Sequence, residues 1–473
     1  MIPYPILVLM ILSAIVVTAL VYSQHPLPPG LNADSGSLPV SNVHFLNDLS
    51  WVDANGKRHA EQQIFDTMLE MVGAAENLLL VDMFLLNDFA GDVEQGHRPL
   101  SSEFTDAVTA RMAEKPNLQV VILTDPFNTF YGSLRSPWFE AVENAGATII
   151  ITNLDALPDS NPLWSGFWRL CCQWLPDPSP GGWLPNPVGD TPVTLRSLLR
   201  VLNFKANHRK TLIADWQGEW HAMVASGNIH DASSLHSNVA LTFSGPAALA
   251  LMETEQAVTA FSGHKKLITI PSGGNGNESE ERLHVLTEAA IRNRILALID
   301  SSQHGERLDL ILFYFSHQKI LARLIAAHQR GVKVRVILDP NRDAFGREKS
   351  GIPNRQTAMR MHQAGIKVRW CNTHGEQCHD KILIRRGEKG TDLLLGSANF
   401  TRRNLDNFNL ETSVHLETRN DSHAATLARR LFERRWLNQK DHEYTLDYAA
   451  FADHSRWRYW RYRVMEGAGL SSF

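Results

Sequence analysis

Cysteine is scarce in this chain, with only Cys171, Cys172, Cys371 and Cys378 among 473 residues. That is too few for a disulfide-built scaffold, so the fold has to rest on a hydrophobic core. An excess of positive charge is also missing. The formal net charge is −4 and the sequence pI is about 6.6. This balance counts against a general nucleic-acid binder, although a local basic cleft stays compatible with it. No Lys or Arg precedes Lys57, so charge bias is a poor guide to the orientation of any membrane segment. Bias toward disorder is absent too. A chain with 44% hydrophobic and 20% charged residues has an ordinary globular composition, long enough for two domains or one large pseudo-symmetric one.

One long apolar run is present. Ile6 to Tyr22 reads ILVLMILSAIVVTALVY, interrupted only by Ser13 and Thr18. About 17 apolar residues is the lower limit for a membrane span. A membrane anchor is the leading expectation, against a cleaved signal segment ending near Ser23 or a buried core helix. Residues 24–42, rich in Pro, Ser, Gly and Asn, read as a tether.

Self-similarity organises the rest. HRKTLIADWQGEWHAMVASGN from His208 repeats as HDKILIRRGEKGTDLLLGSAN from His379. One ungapped shift superposes His208 on His379, Lys210 on Lys381, Ser226 on Ser397 and Asn228 on Asn399, and places Asn238 on Asn409. Upstream, LQVVILTDPFNTF ending at Phe130 parallels VKVRVILDPNRDAF ending at Phe345. Each reads as a strand stopped by an Asp-Pro turn. Further strands are predicted over Leu78–Leu86 and Leu308–Phe315, and ILARLIAAHQRG has helical spacing closed by Gly331. The first half carries an insertion, roughly Pro158 to Leu199, holding Trp164, Phe167, Trp168, Trp174 and Trp183. It would either suit a membrane interface or pack its tryptophans onto the core.

The repeated residues suit a phosphodiester. His and Lys two apart on a strand share a face. Lys210, Lys381, Asn228 and Asn399, with Ser226 and Ser397 nearby, would supply charge and donors to phosphate oxygens. One imidazole would attack phosphorus and the other would move protons at the leaving and entering oxygens. No metal or other cofactor is needed.

The doubled pattern H-x-K-x4-D then G-S-x-N resembles the phospholipase D superfamily over roughly residues 70–415. The second-half text (GVKVRVILDPNRDAFGREKSGIPNRQ, GIKVRW, THGEQCHDK) is similar to bacterial cardiolipin synthase-like members. The resemblance implies His208 as nucleophile, His379 as general acid/base, and Lys210, Lys381 and Asp215 as further catalytic residues of the motif. It also implies that Glu411 holds a catalytic histidine, Ala240 being its first-half counterpart. Arg386 stands where a second aspartate is expected, and Ala225 replaces the glycine before Ser226.

The expected fold is α/β. Two pseudo-symmetric α/β/α sandwich halves (63–271 and 282–440) share one active site, preceded by a hydrophobic helix (1–23) and a linker (24–62). A second linker runs over 272–281 and an Arg/aromatic tail over 441–473. The run RWRYWRYR (Arg456–Arg463) would meet lipid headgroups, stack on nucleotides or pack as an irregular tail. A zinc site at Cys371, His374, Cys378 and His379 is spacing-compatible, but the repeat claims His379. A Cys371–Cys378 disulfide or free thiols are the simpler readings, and Cys171–Cys172 reads as structural.

The expected partners are a phospholipid, the membrane, and an alcohol or water acceptor, with no nucleic acid and no obligate protein partner. The expected location is a bacterial inner membrane with the catalytic part leaning to the periplasmic side. A nuclease of the same superfamily and a catalytically silent membrane scaffold are the alternatives.

Overall fold

A computed structural model describes residues 3–89, 96–176, 180–265, 267–270, 280–344, 347–438 and 442–470. The expected linker at 272–281, except its last two residues, and Phe345 lie outside the described residues.

The repeat read from the sequence is a repeat in space. In the first half the strands lie side by side as Ser41–Val52, Asn238–Ser244, Glu219–Ala225, Lys210–Trp216, Leu78–Met83, Gln119–Thr124 and Thr148–Ile151. In the second half the same order is Arg282–Thr287, Thr412–Thr418, Thr391–Gly396, Lys381–Arg386, Arg307–Leu312, Lys333–Leu338 and Lys367–Cys371. The last three strands of each set are parallel, which requires crossovers. Leu100–Glu114 and Pro137–Asn144 supply them in the first half, Gln318–Gln329 and Asn354–Gln363 in the second.

The inner faces of the two sheets share one core, with Leu80, Val121 and Ile213 from the first and Ile311, Ile337 and Ile382 from the second. Phe65, Phe104 and Val108 cover the outer face of the first sheet, and Ile295, Leu324 and Met361 that of the second. Buried sheets covered on both faces explain why these strands read as near-continuous apolar runs.

Two expected boundaries are corrected. The linker at 24–62 contains the strand Ser41–Val52, paired with Asn238–Ser244 on one side and with the short edge strand Arg58–Glu61 on the other. Before it, the arm around Asn32–Pro39 docks on the second half, where Ser35 N donates to Val285 O (3.0 Å) and Thr287 N to Ala33 O (2.9 Å). Backbone pairing overrides the tether-like composition there. Residues 442–470 of the expected tail are also structured. Thr445–Asp447 adds a strand beside Lys367–Cys371, and Arg456–Ala468 is a helix whose Tyr462 is buried.

The helix Tyr4–Ser23 is exposed along most of its length, with Ala19 buried, so it is not a core helix. By length and composition it is apolar enough to cross a membrane. Its second half packs on the insertion helix Pro162–Cys171. A Cβ on Gly166 would come within 2.6 Å of Ile15 O and 3.1 Å of Ala19 N, so only glycine permits this approach.

Candidate active site

Both sheets begin their motif strands at the lysine, leaving each histidine in the extended approach. That approach is tied down by the opposite half. His208 N donates to Leu410 O (2.9 Å) and Leu410 N to Ala206 O (3.0 Å). The mirror pair is His379 N to Ser237 O (2.9 Å) and Ser237 N to Gln377 O (3.0 Å). His208 and His379 therefore line one cavity of about 340 Å³, together with Asn228 and Asn399. The halves are interlocked at the residues expected to do chemistry.

Side-chain support crosses over in the same way, but unequally. His208 Nδ1 lies 2.9 Å from Glu411 Oε1, whereas His379 Nδ1 lies 3.1 Å from Asn238 Oδ1. Strand register makes these two partners equivalent. Ala240 sits opposite Ala225 and Ser413 opposite Gly396. Val239 N donates to Ser226 Oγ just as Thr412 N donates to Ser397 Oγ. Asn238 is thus the counterpart of Glu411, which corrects the expected matches of Asn238 with Asn409 and of Glu411 with Ala240. The loop from Asn399 to Glu411 is two residues longer than the loop from Asn228 to Asn238, and an ungapped shift cannot follow that.

The expected phosphate-binding serines serve this support. Ser226 Oγ donates to Asn238 Oδ1 (3.0 Å) and Ser397 Oγ to Glu411. Both are fully buried, and neither is among the described residues lining the cavity. They position the histidines' partners. Asn228 and Asn399 do reach the cavity, and the side-chain oxygen of each has no hydrogen-bond partner among the described residues.

Lys210 Nζ donates to His208 O (2.8 Å) and Lys381 Nζ to His379 O (2.6 Å). Both lysines are buried, and neither is among the described residues lining the cavity. An ammonium has three protons, so each has donors beyond that one bond. Sequence reasoning missed the aromatic walls. Phe84 lies 4.9 Å from the His208 ring and Phe313 4.8 Å from the His379 ring. The signal was present, since each is the first residue after a matching strand.

Asp215 is placed away from this group. It accepts from the backbone N–H of Asn77 and Leu78 (2.8 Å each) and from the Asn77 side chain (2.6 Å). Burial pushes its carboxyl up, but these donors outweigh burial and hold it below the usual range. It braces two strands, which corrects its placement among the catalytic residues. Arg386 occupies the matching position in the second sheet, paired with Thr391 and Arg307.

Burial dominates the electrostatics. It pushes the His208 imidazole down to about 4 against the opposing pull of Glu411. It holds His379 well below the ordinary histidine range, with Lys381 adding to the effect. It brings Lys210 down to about 7, and lowers Lys381 well below the usual lysine value, with Lys210 adding to the effect. Burial thus disfavours the charged form of all four groups.

In comparison with known proteins, the family described as "Cardiolipin synthase, PLD-like domain" matches residues 295–436. Those residues are similar to a phospholipase D-like domain. The family match lies in the second half, and the first half repeats the strand order of the second. A comparison with curated proteins found no match. Among solved structures, the phosphatidylserine synthase of Haemophilus influenzae Rd KW20 is similar at 12% identity and TM-score 0.57, covering 97% of this chain and 99% of that one. That likeness shows the fold. The phospholipase D family member Nuc from Salmonella typhimurium aligns at 22% identity and TM-score 0.29, over 36% of this chain and 98% of that one.

Proposed function

We propose that the chain is a membrane-anchored phospholipid phosphodiesterase or phosphatidyltransferase working through a phosphohistidine on His208. The observation that carries this reading is the unequal backing of two histidines over one cavity. Glu411 faces His208 Nδ1. A carboxylate there keeps the proton on Nδ1, leaves Nε2 free to attack, and stabilises the positive charge that the ring gains once it bonds to phosphorus. Asn238 gives His379 orientation without charge, which suits a group that must both give and take a proton.

In the first step His208 Nε2 bonds to phosphorus, and the leaving alkoxide departs with a proton from His379. In the second step His379 takes the proton of an alcohol or water, whose oxygen bonds to phosphorus and releases His208. Lys210, Lys381, Asn228 and Asn399 are the groups we assign to the phosphate oxygens.

A lipid substrate is supported by the surface near this site. Leu163, Phe167 and Leu170 form an exposed stripe on the insertion helix, and Trp174 and Trp183 are 77% and 74% exposed. Trp168 is buried, so the insertion combines interface-like and core-packing residues. The helix Arg456–Ala468 exposes Trp457 (78%), Trp460 (63%) and Val464, with Arg456 and Arg461 also exposed. Such a face suits an anionic lipid interface. It ends at Gly469 beside Ser160, which brings it next to the insertion. The Cys371–Cys378 disulfide supports an oxidising compartment such as the periplasm.

Purified full-length protein given phosphatidylglycerol tests the reading. Cardiolipin plus glycerol identifies a transferase and phosphatidic acid a hydrolase. Neither product from any phospholipid diester would overturn it.

A further inference from the structure

A second cluster of histidines lies on the second sheet, away from the reaction centre. His284 and His415 are cross-strand partners, 5% and 1% exposed, with rings stacked 5.3 Å apart. Each ring is held at one nitrogen by a carboxylate. His284 Nδ1 is 3.1 Å from Asp34 Oδ1 and His415 Nε2 is 2.9 Å from Asp392 Oδ1. The other nitrogen of each, His284 Nε2 and His415 Nδ1, is buried without a hydrogen-bond partner among the described residues. Glu417, two residues beyond His415 and so on the same strand face, puts a carboxylate oxygen 3.7 Å from His284 Nε2. The three potential ligand atoms lie within 4.8 Å of one another.

We propose that His284, His415 and Glu417 form a binding site for a divalent transition-metal ion, with Zn²⁺ as the fitting probe. Burying two unsatisfied ring nitrogens toward one point is costly unless something binds them. Two imidazoles and one carboxylate make a familiar zinc donor set, with a fourth position left for water. The outer carboxylates are the second requirement: a metal-bound histidine normally gives its remaining N–H to such a group, which sets tautomer and ring orientation.

Charge agrees as well. Arg294 donates to Asp34 Oδ2 and to His284 Nδ1 (2.9 Å each). A metal on Nε2 therefore requires the Nδ1–H tautomer facing Asp34 and a shift of Arg294 toward that carboxylate. Arg385 is 3.6 Å from Asp392. Arg385 also pairs with Glu306 (3.1 Å), so two guanidiniums against the carboxylates of Asp34, Asp392, Glu417 and Glu306 leave two negative charges around the cation. In a tetrahedral zinc site with bonds of about 2.0–2.2 Å, ligands sit closer together than they do here. Glu417, 43% exposed at its side chain, is free to turn inward. The ion would clamp the strand Arg282–Thr287 to Thr412–Thr418, and Asp34 would tie the N-terminal arm to the same point. Glu411, which faces His208, stands immediately before the clamped strand.

The test uses untagged full-length protein in detergent, stripped with chelator and titrated with Zn²⁺ by calorimetry and thermal melting. One Zn²⁺ per chain and a raised melting temperature are expected. His415→Asn should abolish both, and Asp392→Asn should weaken binding about 10–100-fold. Turnover by His415→Asn at moderate temperature should match metal-free wild type. His208→Ala should bind zinc like wild type, which separates this site from the catalytic cavity. Should His415→Asn fail to fold, Glu417→Gln, changed at a half-exposed position, serves in its place. Co²⁺ in the wild-type site should give the visible bands of a tetrahedral ion. No stoichiometric binding by wild type, or unchanged binding by folded His415→Asn or Glu417→Gln, would overturn the proposal.

Discussion

Glu411 and Asn238 occupy equivalent places yet carry different charge, and that difference is the lever on His379. Asn238→Asp adds a carboxylate against His379 Nδ1 and stabilises the imidazolium. A general acid works below its pKa, so the alkaline limb of phosphoenzyme formation should move to higher pH. Stopped-flow release of the leaving alcohol across pH reads this, and an unmoved limb would deny His379 that role. Lys210 gives a second pH signature. Burial brings it down to about 7 in the substrate-free site, and a bound anion raises it again, so binding takes up a proton. Affinity for a non-titrating anion such as sulfate should be flat below about pH 7 and fall above it, by up to about tenfold per pH unit for each proton taken up. Inhibition by sulfate measured from pH 6 to 9 checks the sign, and Lys210→Ala should flatten the curve. Asp215 belongs to stability instead. Removing its acceptor from several strand-end N–H groups should cost about 1–3 kcal/mol. Thermal melting should therefore drop for Asp215→Ala while kcat stays near wild type.

At the scale of elements, what the sequence disclosed followed what chemistry requires twice. The lysines, histidines and asparagines recur because both halves face one phosphate, so they stood out without any structure. The partnership of Asn238 with His379 stayed hidden behind a two-residue difference in loop length. Ser41–Val52 was read as linker because SNVHFLNDLSWV mixes polar and apolar residues, as a strand with part of its length exposed does, and a proline-rich arm precedes it. The two histidines of the proposed metal site come from strands that are neighbours in the sheet but more than a hundred residues apart in the chain, a spacing no local motif records. The helix Arg456–Ala468 replaces the irregular tail that was one of three open readings for RWRYWRYR. Its exposed tryptophans give an element-scale test. Trp457→Ala with Trp460→Ala should weaken sedimentation with anionic vesicles several-fold while leaving turnover of a soluble, short-chain diester unchanged. Loss of both together would point to misfolding of the helix instead.

The whole molecule is two copies of one sheet that exchange support at their motif ends. Neither half holds its own histidine. His208 depends on Leu410 and Glu411, and His379 on Ser237 and Asn238. This crossing places the two rings at one cavity. It also makes the two histidines unequal, which is the central claim. The direct measurement is rapid acid-free quench of the protein with a phospholipid labelled at phosphorus, comparing wild type, His208→Asn and His379→Asn. Label should be trapped on wild type, be absent from His208→Asn, and persist longer on His379→Asn, whose second step lacks its base. Label on His379, or equal labelling of both variants, would contradict the assignment.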